Sequence, residues 1–245
     1  MARRRLRRLL QCLVPLLVAA LPAHAQQQAV SVDLGAGGDE TGYVRLLLLF
    51  ASVSLAPALL AVTTAFARII VVLMLLRAGL GAHEIPPTHV LIGLAILLTA
   101  VAMMPVLEPV WERAAGPLAS GEIALEAAVE EARGPLQEFM SASVRPADLD
   151  LMRALAGSEA AASVETPLAV LASAYAISEL RAAFLIGFII YLPFAIIDLV
   201  VGSTLASVGM LSLPAPVLAL PFKLLLFVMV DGWALVTEAL VSTIR

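Results

Sequence analysis

The feature that most limits this chain is Leu46–Ala67, 22 consecutive residues without a formal charge. Wound as a helix, that stretch would be about 33 Å long, enough to cross the hydrocarbon core of a bilayer. Val90–Leu107 supplies 18 more uncharged residues, and Ala182–Ile244 is apolar again around Asp198, Lys223 and Asp231. Hydrophobic residues make up 61% of the chain and charged ones 14%, against about 25% charged in soluble domains. Lipid must therefore be part of the solvent. In lipid every backbone polar group has to be satisfied internally, which leaves helices or closed barrels. Barrel strands alternate polar and apolar over about ten residues, whereas these runs are continuous. The expected fold is all-α: an integral membrane protein of helical hairpins with an amphipathic helical segment outside the membrane.

The N-terminus reads as a targeting signal. Arg3, Arg4, Arg5, Arg7 and Arg8 form a basic region, Leu9–Leu21 an apolar core, and Ala23-His24-Ala25 a small-residue cleavage site. The core contains Pro15 and falls short of the roughly 20 residues that span a bilayer, so cleavage after Ala25 is expected. The only cysteine, Cys12, lies inside this signal behind a poor lipobox. The mature chain would then carry no disulfide, no Cys-bound metal and no Cys nucleophile. Losing five arginines moves the formal charge from −4 to −9, which offers no basic surface to nucleic acid.

Five segments follow: a signal at 1–25, a polar Gly-rich stretch at 26–42, a first apolar helix pair at 43–107, an acidic helical region at 108–181 and a C-terminal helical hairpin at 182–245. Gly79, Gly81, Pro86 and Pro87 divide the first pair. The acidic region holds twelve acidic and five basic side chains. Leu125, Val129, Ala132, Leu136, Phe139 and Met140 recur there at helical spacing, with a break expected at Gly134-Pro135. Pro146 opens a helix that Gly157 ends, with Leu149, Met152 and Leu155 on one face. Thr166 as cap and Pro167 as first residue start a helix that can run unbroken past Ala182. The hairpin folds within Gly209–Pro216, its strongest turn signal. Arg68 and Arg77 bracket one end of the first apolar segment, so that end should be cytoplasmic; the acidic region then lies in the periplasm.

No reaction chemistry emerges. His83-Glu84 and His89 do not have the H-E-x-x-H spacing, and Pro86-Pro87 prevents one helix from aligning both imidazoles. Asp198 and Asp231 could form an intramembrane acid pair, but their contexts, Ile-Ile-Asp-Leu and Val-Asp-Gly-Trp, are unlike presenilin-type motifs. There is no G-x-S-x-G and no Walker A sequence. The expectation is no catalytic residue, no metal site, no cofactor and no enzyme. The apolar-helix charges Arg68, Asp198, Lys223 and Asp231 are costly in lipid and are expected in buried or inter-subunit contacts.

Pro221-Phe222-Lys223, an apolar run, and Asp231-Gly232-Trp233 together resemble the P-F-K…D-G-W signature of the FliP family. Ser173–Phe184 resembles a second family stretch, with Ser173 in place of the usual Pro and Arg181 in place of Lys. Leu55–Leu60, Phe66–Ile70, Pro86-Pro87 and Val90–Leu94 fit as well, so the likeness extends over about residues 43–245. The resemblance implies a pore-forming subunit of the flagellar type III export gate at the base of the flagellum in the bacterial inner membrane. It implies about five copies assembled with FliQ and FliR, other export-apparatus proteins, and unfolded flagellar subunits as cargo. It also implies that the apolar segments need not all cross the bilayer. Met210, Leu211 and Ser212 fall where the family has a pore constriction, usually of three methionines. Phe139 and Glu179 fall at outer-region contacts. The injectisome homologue of virulence secretion systems and a small-solute transporter or channel are the competing readings.

Overall fold

The computed structural model describes Phe50, Ser54, Ala58 and residues 61–82, 85–157, 166–210 and 212–244. The expected signal with Ala25, the 26–42 stretch, most of Leu46–Leu60, and His83, Glu84 and Leu211 lie outside those residues. The chain divides into two units, 1–56 and 57–245, and the elements below belong to the second. Among the described residues all regular structure is helical, as the unbroken apolar runs require.

Helix α1, Phe66–Leu80, buries Ile69, Val72, Leu73, Leu76 and Leu80 along one face, the i, i+3, i+4 row expected of a helix packed on one side. Gly81 ends it in the left-handed conformation, φ 75°, which glycine adopts without a Cβ clash. Helix α2, Thr88–Ala102, follows Pro87. The expected span Val90–Leu107 is not one helix: the chain breaks at Met103 and restarts as α3, Met104–Val110. The run Met104–Ser120 that begins there is turned 72° from α2. Pro105 accounts for the break, because it lacks an N–H and its ring crowds the carbonyl four residues earlier. A wide π-helical turn, Trp111–Ala115, and a short helix α4, Gly116–Ser120, complete this bent arm.

Helix α5, Leu125–Ser143, runs through Gly134-Pro135 without the expected break. A proline forfeits one backbone hydrogen bond, and the surroundings of Gly134 are open, with nothing within 4 Å of where its Cβ would be. Its apolar face is covered in part: Ala128 and Met140 are buried, while Leu125 and Val129 are exposed. Helix α6, Pro146–Ala156, begins and ends where Pro146 and Gly157 indicate.

Helix α7 is the main element, Leu168–Ser207, 40 residues and about 60 Å long. Pro167 stands at its cap rather than at its first helical position. Gly209, φ 79°, closes it. Helix α8, Ala215–Met229, returns and then bends by 63° into α9, Gly232–Ser242. The C-terminal hairpin thus has a second break, at Asp231, beyond the one expected near Gly209.

The largest core joins α1 to α7, α2, α8 and α9 through Ile69, Leu73, Leu91, Ala183, Phe227 and Leu240. Glycines bring α1 and α7 close: a Cβ on Gly187 would lie 2.3 Å from Leu75 Cδ1, and one on Gly79 would lie 2.9 Å from Phe194. Small residues at such crossings let helix backbones approach where lipid provides no hydrophobic drive. A second, smaller core gathers Met140, Leu171 and Tyr175 with Phe139 and Leu149. By length and composition α7 can cross a membrane, and each of the two bent arms could add one more span. The fold is that of an all-α membrane protein.

Candidate functional site

Four of the charges that the apolar helices carry, Arg68, Glu179, Asp198 and Lys223, are gathered at two places in the core. Lys223, 2% exposed, donates to Asp198 Oδ2 at 2.7 Å and to the Gly79 carbonyl at 2.9 Å. That carbonyl lies near the C-terminal end of α1, where the helix dipole and freed carbonyls favour a cation. Asp198 and Lys223 face each other across the α7–α8 turn, so the hairpin itself brings them together. Arg68 donates to Glu179 and, at 2.9 Å, to the Thr243 carbonyl. This pair ties α1 and α7 to the C-terminal end of the chain. Both sites neutralise charge within one copy of the chain.

Several expectations change in detail. Arg68 is 7% exposed and ion-paired, so it is a core residue rather than a loop cation, and the orientation argument rests on Arg77. Arg77 donates to the Pro86 carbonyl and to Thr88 in the α1–α2 connector. Glu179 is buried, 1% exposed. Asp231 does not share a site with Asp198. It adopts φ 51°, ψ 54° ahead of α9 with no side-chain cap hydrogen bond, a left-handed conformation that Asp tolerates better than most residues. His89 is exposed.

The family-like signature around residues 221–233 acquires a physical account from these neighbours. Lys223 supplies the buried ion pair, and Asp231 turns the chain. Gly232 is needed because a Cβ there would meet the Phe227 ring at 2.2 Å. Trp233 then packs edge-on against Phe227, 5.4 Å between ring centroids and 83° between planes. Phe139 packs in a similar edge geometry on Tyr175 at 5.7 Å.

A third cluster lies at the α6–α7 junction and was not singled out from the sequence. Asp148 accepts from Ser178 Oγ and from Arg181 Nη2, each at 2.9 Å, and the Arg145 backbone N–H donates to Ser178 Oγ at 3.1 Å. The Ser178 hydrogen bond, followed by that of Arg181 and its positive charge, holds the Asp148 carboxyl below its ordinary 3.8, against an opposing contribution from burial. The available sequence signal was the acidic residue in the first turn after Pro146, a favoured place for negative charge.

The turn between α7 and α8 presents Met210 and Leu213, 45% and 40% exposed. Ser212 is exposed, and Leu211 is outside the described residues. Among the described residues, the buried atoms Arg68 Nε, Tyr175 Oη, Glu179 Oε2 and Asp198 Oδ1 have no hydrogen-bond partner. Along α7, Phe184, Phe188, Leu192, Ile196 and Leu199 form an exposed row at helical spacing. Such a row requires lipid or a neighbouring subunit to cover it.

A model of the FliP family matches residues 49–240. The chain is 43% identical over 240 residues to the flagellar biosynthetic protein FliP of Caulobacter vibrioides, covering 97% of this chain and 90% of that protein. It is 44% identical over 201 residues to that of Bacillus subtilis, covering 82% and 91%. With that of Pectobacterium carotovorum subsp. carotovorum it shares 43% over 216 residues, 87% and 84% of the two chains.

Proposed function

The chain belongs to the FliP family, and from that premise we propose that this flagellar biosynthetic protein forms the pore of the flagellar type III export gate. It sits in the inner membrane at the flagellar base and passes unfolded flagellar subunits across it. About five copies associate with FliQ, FliR and other export proteins, with the acidic 108–181 region in the periplasm. The chain performs no covalent chemistry; the work of transport is supplied by partners and the proton motive force. Contacts between copies at Phe139 and Asp231 belong to the same proposal, whereas Arg68 with Glu179 and Lys223 with Asp198 pair within one copy.

The observation that carries the pore reading is the apolar turn. Gly209 lets the chain reverse after a 40-residue helix, and the reversal leaves Met210 and Leu213 uncovered. Methionine is unbranched and adaptable, so a ring of such turns can close on itself and still yield to a passing chain. Ser212, in a position where the family usually has Met, makes the constriction smaller and wetter.

Met210→Gly combined with Leu211→Gly should leave the assembly intact but leaking ions, measured as conductance across membranes that contain the purified complex. An assembled variant as tight as the parent would take the gate away from this turn. Co-purification with FliQ and FliR separates this reading from that of a solute transporter, which would show solute-dependent flux without them.

A further inference from the structure

Helix α7 is gripped from two directions within a single turn. On one side the buried Asp148 carboxylate, in the first turn of α6, accepts hydrogen bonds from Ser178 Oγ and Arg181 Nη2 at 2.9 Å each. The N–H of Arg145, the cap of α6, donates to the same Ser178 Oγ at 3.1 Å. On the other side Glu179 accepts from Arg68 of α1, and Arg68 reaches on to the Thr243 carbonyl at the C-cap of α9 at 2.9 Å. Asp148, Ser178, Glu179 and Arg68 are all buried, so water cannot readily replace a partner that is lost.

The spacing gives the first grip a particular effect. Residues three apart lie on one helix face. A carboxylate that holds both 178 and 181 therefore restrains the roll of α7 about its own axis, which a single contact would leave free. Glu179 projects about 100° further round from Ser178. The helical backbone joins the two rigidly, so roll at 178 is roll at 179. With side-chain ends about 5–6 Å from the axis, a roll of about 10° carries the Glu179 carboxylate about 1 Å. A shift of that size breaks a hydrogen bond of ordinary length.

We propose that α6 locks the roll of α7 through Asp148, and thereby sets the engagement of Arg68 with Glu179 and with the chain end at Thr243. Every contact in this route lies within one copy of the chain, and none depends on the export-gate reading. A partner that draws α6 away from α7 is then felt at α1 and α9 without touching either.

Hydrogen–deuterium exchange of the full-length protein in detergent micelles tests the coupling. Mass spectrometry follows residues 236–244 as the readout and residues 219–227 of α8 as the reference. Asp148→Ala should speed exchange at 236–244 about tenfold, the scale of a hydrogen bond to a charged group, and leave 219–227 within about twofold of the parent. Ser178→Ala removes one of the two points of the grip and should give the same pattern at about fivefold; it carries the comparison if Asp148→Ala fails to accumulate. In the background of Arg68→Met with Glu179→Leu the second grip is already gone, so adding either variant should leave exchange at 236–244 as that background has it. No acceleration overturns the proposal. So does equal acceleration at 219–227, which marks general loosening, or equal acceleration in both backgrounds, which marks a route that bypasses Arg68 and Glu179.

Discussion

Replacing Arg68 with Met should destabilise the protein far more than the loss of its two hydrogen bonds alone suggests. The side chain is packed between α1, α7 and the C-terminal end, and its partner Glu179 is 1% exposed. Deleting the cation leaves a carboxylate in the core with no counter-charge and removes the donor to the Thr243 carbonyl. Removing one member of a buried ion pair costs about 3–5 kcal/mol. Arg68 Nε and Glu179 Oε2 already lack partners, so the intact pair is imperfectly compensated, and the expected loss is at the low end, about 3 kcal/mol. That is a large share of the roughly 5–15 kcal/mol that separates folded from unfolded states in most proteins. Arg68→Met with Glu179→Leu removes both desolvation costs and should return to within about 1 kcal/mol of the parent. Equilibrium unfolding in detergent micelles, followed by far-UV circular dichroism, measures both variants. A single variant within about 0.5 kcal/mol of the parent would refute the argument, and so would a double variant whose loss equals the sum of the two single losses.

Three further outcomes follow from other parts of the structure. Gly187→Ala should cost about 1–3 kcal/mol by overpacking, because its new methyl meets Leu75, and Leu75→Ala in the same chain should recover part of that in the same unfolding assay. Asp148 has a lowered carboxyl pKa, so its contribution is present above the ordinary value of 3.8 and is lost as pH falls through the folded value; thermal melts from pH 6 downward should show this loss, and Asp148→Asn should be less stable at pH 6 and lose less on acidification. The mature protein should begin at Gln26, with a cysteine near Gly81 labelled only from the cytoplasm and one near Glu126 only from the periplasm; N-terminal sequencing that finds Met1, or the reverse labelling, would overturn that arrangement.

Much of the fold was legible because it depends on local signals. The long helix past Ala182, the turn at Gly209 and the bounds of α6 each rest on hydrophobic continuity or on a Pro or Gly whose backbone preference is intrinsic. The missed breaks were masked by composition. Pro105 lies inside an uncharged run that hydropathy alone reads as one span, and Asp231-Gly232 is a two-residue turn within an apolar stretch. At Gly134-Pro135 the error ran the other way: a strong breaker was given more weight than a helix that can absorb one lost hydrogen bond. The charged residues were recognisable as costly, but their pairing was not. Lys223 and Asp231 belong to one arm of the hairpin, whereas the partner of Lys223, Asp198, comes from the opposite arm. Arg68 and Glu179 are 111 positions apart, and no periodicity connects them.

Helix α7 joins regions that otherwise have separate roles. Near one end Ser178 and Arg181 grip Asp148, and at the other Gly209 begins the turn that carries Met210. Over most of that distance the backbone is one hydrogen-bonded rod, with Pro193 as an interior point of reduced stiffness. A rod of this kind is a lever. A tilt of roughly 5° about its outer end would sweep the far end through about 5 Å over a length near 60 Å, a distance comparable to the spacing between neighbouring side chains. Work done on α6 would therefore arrive at the apolar turn as displacement, with no chain of intervening side-chain rearrangements required to carry it.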